Sequence, residues 1–349
     1  MSVTTTTIAN KFARRLCYVD DGTPGITRRR TRQGWIYFDA TGRRIKDRNE
    51  IDRLNAVALP PAYKDCWYCA NPNGHIQAIG YDQKGRKQYR YHPDFRARQD
   101  AEKYDRCDSF GQALPAIRKR VDADLATRRV DKRTAVAAVI RLLDLGHIRV
   151  GNTTYARNNK SFGATTLRDR HVRVKGNRLM LCYRGKSGKR QTLSINNRKL
   201  VTVVRRCQDL PGQQLFQYLD ATGERHPVSS HDVNDYIREA SGGDFTAKHF
   251  RTWGASVIAY HAIVDAGTDG IDIKAMLAPV AEALGNTPAI SRKSYVHPAL
   301  LDLAKAGGLR GEAPVTLPRA TRWLEPAERG LIAFLSALSN PTHKRKRAA

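Results

Sequence analysis

Residues 171–194 read HVRVKGNRLMLCYRGKSGKRQTLS. Apolar and polar residues alternate through this stretch around the turns Lys175-Gly176-Asn177 and Gly185-Lys186-Ser187-Gly188, which is the pattern of three short antiparallel strands. The text on either side is helical. Before it, Val136, Val139, Ile140 and Leu143 fall at the i, i+3, i+4, i+7 spacing of one buried helix face, with Gly146 as the expected stop. After it, helices are expected from Asn197 to Cys207, from His231 to Ala240 behind the caps Ser229 and Ser230, from Ala247 to Ala266, and from Asp272 to Leu284 before Gly285. A small β insert inside a helical domain is the expectation that organises the rest.

Upstream of Pro93 the pattern changes. GWIYFD from Gly34 predicts a strand closed by the turn Ala40-Thr41-Gly42, and Asp47 with Glu50 predicts a capping-box start for a short helix through Leu54. Strands are expected over Asp65–Cys69, His75–Tyr81 and Arg86–Tyr91, separated by turns at Asn71–Gly74 and Gln83–Gly85. The fold class expected is α+β. A small N-terminal antiparallel β-sheet domain covers residues 1–94, a larger, mainly α-helical domain with the three-stranded insert covers 95–340, and a basic disordered tail covers 341–349 and ends HKRKRAA.

Among 349 residues, 61 are Lys or Arg and 33 are Asp or Glu, a formal net charge of +28. Self-repulsion makes that balance costly unless a polyanion shares the surface, so nucleic acid is the expected partner. A hydrophobic content of 41% is enough for real cores and excludes disorder throughout. There is no run of eighteen apolar residues, and MSVTTTTIANKFARR lacks an apolar signal region, so neither a membrane nor secretion is expected and the protein is placed in the cytoplasm. Of the six cysteines only Cys66 and Cys69 form a close CxxC pair, half of a zinc site, which predicts reduced core thiols and no metal. There is no GxxxxGK[ST], no GxGxxG and no acidic cluster for paired metals, so no cofactor is expected.

Four texts put a cationic or nucleophilic group where a ligand can reach it: HIRVGNTTYARNNKSFGATTLRDRHV (147–172), CYRGKSGK (182–189), KHFRTWGAS (248–256) and GNTPAISRKSYVHP (285–298). In this order they resemble the type IB DNA topoisomerases of the poxvirus and bacterial kind. IQAIGYDQKGRKQYRYHPDFR (76–96) is similar to that family's N-terminal domain, so the resemblance runs over nearly the whole chain. It implies a catalytic set of Arg149, Lys186, Arg251, Asn286 and Tyr295. It also implies strand cleavage through a 3′-phosphotyrosyl link, rotation and religation without ATP or metal, by a monomer closed as a clamp on double-stranded DNA at the nucleoid.

Each assignment has a chemical reason. A phosphodiester under attack gathers negative charge on its non-bridging oxygens, and forked guanidiniums such as Arg149 and Arg251 replace metal ions there. Tyr295 is the nucleophile; a phenol with an ordinary pKa of about 10 needs a positive field, for which Arg292, Lys293 and the two arginines are candidates. Pro288 suits the first turn of a short helix presenting it. Lys186, on a glycine-bounded turn, is the general acid for the departing 5′ oxygen. Asn286 departs from the poxvirus pattern, which has histidine; an amide donates a hydrogen bond but carries no proton. Taken singly, an arginine in so basic a chain is more often a solvated or phosphate-contacting residue, and a tyrosine more often packs.

For the grip on DNA, Gln88, Tyr89, Arg90 and Tyr91 lie on the last strand of the N-terminal sheet, with Tyr89 and Tyr91 on one face; packing in the sheet core is the competing reading of that pair. Tyr155 and Lys160 are expected contacts of the helical domain. Two other classes stay open on the residues alone. One is a tyrosine recombinase, which normally has H-x-x-R where this chain has Lys248-His249-Phe250-Arg251; the other is a non-catalytic DNA-binding protein.

Overall fold

The computed structural model describes residues 16–311 and 315–339; the HKRKRAA tail lies outside them. The chain divides into two compact units, with the boundary between Lys103 and Tyr104.

In the first unit β1 (Ile26–Thr31), β2 (Gly34–Phe38), β3 (Lys64–Tyr68), β4 (Ile76–Tyr81) and β5 (Lys87–Tyr91) form one antiparallel sheet in the order β2-β1-β3-β4-β5. Helix α1 (Arg48–Ala56) packs on it around Ile26, Tyr37, Leu54, Leu59, Cys66, Tyr68 and Ala78. Strand β1, ITRRRT, has no hydrophobic alternation to announce it. It is laddered to β2 and β3 with Ile26 in the core, and cross-strand stacking adds to this: the Arg28 guanidinium lies 4.0 Å over Trp35 and that of Arg29 4.9 Å over Phe38, contacts worth about 0.5–1 kcal/mol each when exposed. Asp47 does cap α1, accepting from the Asn49 N–H at 3.1 Å. Glu50 closes no capping box; its carboxylate pairs with Arg53 at 2.6 Å. Cys66 and Cys69 are buried, and burial pushes both thiols up.

The second unit is mainly helical. Helix α2 (Pro93–Asp124) begins in the first unit and runs into it. There follow α3 (Lys132–Gly146), α4 (Thr153–Asn159), β6 (Val172–Lys175), β7 (Arg178–Arg184), β8 (Arg190–Asn196) and α5 (Arg198–Gln208). The hairpin β9 (Gln217–Leu219) and β10 (Arg225–Pro227) comes next, a pair too short and polar to be foreseen. Helices α6 (Ser230–Ser241), α7 (Ala247–Ala266), α8 (Ile273–Leu284), α9 (Pro288–Ser294), α10 (Pro298–Lys305) and α11 (Pro326–Ser339) complete the unit. The three-stranded insert stands where the alternation predicts it, in the order β6-β7-β8.

Helix α3 is the axis of the core. Val136, Val139, Ile140, Leu142 and Leu143 are at most 2% exposed, and each such side chain contributes about 1.5–3 kcal/mol on burial. The helix stops at Gly146 as expected, but glycine does not make the turn. Gly146 is the last helical residue, and the left-handed cap is His147, at φ 49°. Gly146 is small for a packing reason: a Cβ there would meet Leu193 Cδ2 of β8 at 2.6 Å. The His147 ring in turn rests on Gly254 of α7, where a Cβ would lie 2.4 Å from Nδ1. The end of α3 is thus wedged between the β insert and α7.

One buried ionic network ties four helices together. Arg118 of α2 donates to Asp144 of α3 at 2.8 and 2.9 Å and to Glu328 of α11 at 2.7 and 2.8 Å, while Trp253 Nε1 of α7 donates to Glu328 at 3.0 Å. Such a network contributes little net stability over an apolar core, but it specifies which helices meet, and losing one partner strands a buried charge.

Candidate active site

Arg149, Lys186 and Arg251 come from three separate pieces of chain, and Asn286 and Tyr295 from a fourth. Arg149 follows the His147 cap of α3. Its backbone is pinned by the segment after α4: its carbonyl accepts from Ala164 N–H at 2.8 Å, and the Val150 carbonyl accepts from Thr165 N–H at 2.7 Å. Only glycine fits at 163, because a Cβ there would meet the Arg149 carbonyl oxygen at 2.5 Å. This fixes the base of the side chain, whose Nη2 donates to Asn286 Oδ1 at 2.8 Å.

Arg251 sits in the first turns of α7, 5% exposed. One guanidinium nitrogen donates to the His147 carbonyl and the other to the Leu284 carbonyl at 3.2 Å. Both acceptors lie at helix C-terminal ends, where the orphaned carbonyls carry partial negative charge. A backbone clamp of this kind holds a buried guanidinium without a carboxylate that would cancel its field. Burial, the largest influence, pushes the Arg251 pKa down, with the Arg149 charge acting in the same sense.

Tyr295 caps α9, where Pro288 occupies the first turn as expected and Thr287 caps the other end, accepting from Ile290 N–H at 3.3 Å. Beyond Tyr295 the chain is anchored at once: His297 N–H donates to Ser256 Oγ of α7 at 3.1 Å. The Arg251 guanidinium lies 4.8 Å from the Tyr295 ring centroid. Burial raises the phenol's pKa, but the charges of Arg251 and Arg149, a hydrogen bond from Arg251 and the charge of Lys186 outweigh it, so the pKa lies below that of free tyrosine. The field therefore comes from residues distant in sequence. The adjacent Arg292 and Lys293 are exposed, and the largest contributions come from Arg251, Arg149 and Lys186.

Lys186 is exposed on the β7–β8 turn, which is closed by Gly185 N–H to the Lys189 carbonyl at 2.8 Å, with Ser187 at φ 63°. Arg149, Lys186 and Arg251 line one cleft together with Tyr183 and Gln191. Two N–H donors at the site, Arg251 Nε and Asn286 Nδ2, are buried and have no acceptor among the described residues. Three cations line this cleft against one exposed carboxylate, Glu282, and that balance with unmet donors beside it fits an oxygen-rich anion.

Sequence reasoning missed three parts of this site. The His147 and Leu284 contributions are main-chain carbonyls, which no residue identity announces. Tyr183 reads as a buried strand residue, and burial pushes its phenol up to about 12 even though it faces Arg251 and Arg149. Gln191 carries no motif. A separate group, Asp220, Glu224 and His226, has three potential metal ligands close together. Its oxygens serve the β9–β10 turn: Asp220 accepts from Thr222 and Glu224 N–H at 2.9 Å and meets His226 Nε2 at 2.7 Å.

Of the expected DNA contacts, all but Gln88 are exposed. Tyr89 and Tyr91 are 42% and 40% exposed, so they do not pack the sheet core; their rings stack at 5.8 Å on one face of β5. Arg90 is exposed and Gln88 is half-buried, donating to Asp82 at 3.1 Å. In the second unit Tyr155 of α4 is 51% exposed and Lys160 is its exposed left-handed cap.

Comparison with known proteins gives this geometry its family. Residues 92–294 match the catalytic core of eukaryotic DNA topoisomerase I, ending directly before Tyr295, and residues 34–82 match the N-terminal domain of bacterial DNA topoisomerase IB. The DNA topoisomerase 1B of Acanthamoeba polyphaga mimivirus is 32% identical over 292 residues, covering 80% of this chain and 87% of its own. That of vaccinia virus (strain Copenhagen) is 21% identical over 240 residues, 65% of this chain and 72% of its own. Among solved structures, a XerH site-specific recombinase bound to palindromic difH substrate aligns with a TM-score of 0.37 and 15% identity over 55% of this chain and 49% of that one. The chain belongs to the type IB DNA topoisomerase family. It is an enzyme of that class, and DNA is its partner. No helix among the described residues is long and apolar enough to cross a membrane.

Proposed function

We propose that the chain relaxes supercoiled DNA by transient cleavage of one strand, with Tyr295 as the nucleophile. The Tyr295 phenolate, its proton lost to solvent, attacks the scissile phosphorus and the bond to the 5′ oxygen breaks, that oxygen taking a proton from Lys186. Arg149, Arg251 and Asn286 hold the non-bridging oxygens while charge accumulates on them. The phosphate stays esterified to Tyr295 through the 3′ side of the break, the free 5′ end rotates, and attack by the 5′ hydroxyl reverses the step. Because ester energy is retained, no ATP is needed, and the two guanidiniums take the charge-stabilising task a metal would otherwise have.

The observation that carries this reading is the placement of the Arg251 guanidinium against the Tyr295 ring, while Arg251 itself lines a cleft with Arg149 and Lys186. The reading extends to a monomer working at the nucleoid. In its DNA-bound state the sheet unit uses Gln88, Tyr89, Arg90 and Tyr91 and the helical unit uses Tyr155 and Lys160 to hold one duplex as a clamp. Relaxation of negatively supercoiled plasmid in EDTA without nucleotide tests it. Full relaxation by wild type and none by Tyr295→Phe is expected; exchange between two duplexes in place of relaxation would assign the chain the work of a recombinase.

A further inference from the structure

The strand-cleavage scheme gives no task to one polar side chain of the cleft, Gln191. It stands on β8 directly opposite Tyr183, one residue pair inside the turn that carries Lys186, and it is half-buried. Its side chain touches two glycines at once. A Cβ built on Gly185 would lie 2.9 Å from Gln191 Cγ, and one built on Gly285 would lie 2.3 Å from its Oε1 and 2.7 Å from its Nε2. Gly185 immediately precedes Lys186, and Gly285, the left-handed cap of α8 at φ 62°, immediately precedes Asn286. One side chain therefore fills the space between the lysine-bearing turn and the asparagine-bearing cap. Beyond it the turn projects freely: Lys186, Ser187, Gly188 and Lys189 are all exposed.

A lysine at the tip of an exposed turn samples many positions, whereas proton delivery to one leaving oxygen needs one of them, and a displacement of about 1 Å costs about 10²-fold in rate. We propose that Gln191 is a positioning residue that spaces the Lys186 turn from the Asn286 cap, so that the ammonium reaches the leaving oxygen of the same phosphate that the amide holds. The inference rests on the proposed role of Lys186 as general acid.

The test is single-turnover cleavage by the full chain on two DNA duplexes, one with the ordinary 5′ bridging oxygen at the cut and one with sulfur in its place. A thiolate departs without needing a proton. Gln191→Ala is expected to slow cleavage of the oxygen substrate about 10- to 10²-fold and that of the sulfur substrate far less, following Lys186→Ala. Gln191→Met, which keeps length and bulk, retains most of the rate. Gln191→Asn, one methylene shorter, gives the same selective loss in smaller measure and serves if the alanine variant does not fold. Equal loss on both substrates, or no loss on either, overturns the role of Gln191 provided that sulfur rescues Lys186→Ala. If sulfur fails to rescue Lys186→Ala, the general-acid assignment itself falls, and the inference with it.

Discussion

At the scale of single residues, the site is an arrangement for keeping positive charge uncompensated. Arg251 is satisfied by carbonyls and Arg149 by an amide oxygen, so neither guanidinium is neutralised by a carboxylate. Tyr295 feels the result: burial alone would raise its pKa, and the cations reverse the sign. The phenolate fraction grows with pH and saturates above the phenol's pKa. Single-turnover cleavage is therefore expected to rise with pH and level off below the value of about 10 of free tyrosine. In Arg149→Gln the levelling moves to higher pH as well as lower rate. Two profiles that climb together through pH 10 would contradict the electrostatic role. The five residues were legible because each sits in a local text of fixed order. Their mutual support was not, since it runs through main-chain oxygens of His147 and Leu284 and through contacts between residues 137 positions apart, as in Arg149 to Asn286.

At the scale of elements, periodicity located what packing makes periodic and missed what other forces hold. The insert strands and α7 stand where alternation and helical spacing put them, whereas β1 puts Ile26 into the core and otherwise carries arginines, two of which stack on Trp35 and Phe38. The end of α3 shows a second limit: Gly146 looks like a cap, yet close contact with Leu193 explains it, and His147 takes the left-handed turn. The buried network of Arg118, Asp144, Glu328 and Trp253 was equally invisible, since Arg118 and Glu328 lie 210 residues apart. Arg118→Met strands two buried carboxylates and should cost about 3–5 kcal/mol, read from urea unfolding. Burial raises the pKa of Glu328, but Arg118 outweighs it and the carboxyl titrates below its ordinary 4.5. The stability it confers is complete above pH 4.5 and is lost as pH falls through the lower, folded-state value. Wild type should therefore lose melting temperature below pH 4.5 more steeply than Glu328→Gln; parallel acid limbs would remove Glu328 from the network's energetics.

At the scale of the whole molecule, a net charge of +28 is a statement about DNA. Neutralising phosphates releases counterions, so the logarithm of affinity should fall linearly with the logarithm of salt. If six to ten phosphates are contacted, the loss between 50 and 200 mM is about 10³- to 10⁵-fold. Titration of a labelled duplex across that range measures the slope, and an affinity independent of salt would show that the basic surface is not the binding surface. On the proposed mechanism one tyrosine among the 14 in the chain takes the DNA. That claim is tested most directly by trapping wild-type protein on a nicked duplex whose cleaved strand loses its short 5′-hydroxyl fragment, digesting the adduct, and identifying the modified residue by mass. The account predicts a nucleotide joined through its 3′ phosphate to Tyr295, and no adduct from Tyr295→Phe. Attachment at any other residue, or an adduct that survives in Tyr295→Phe, would contradict it.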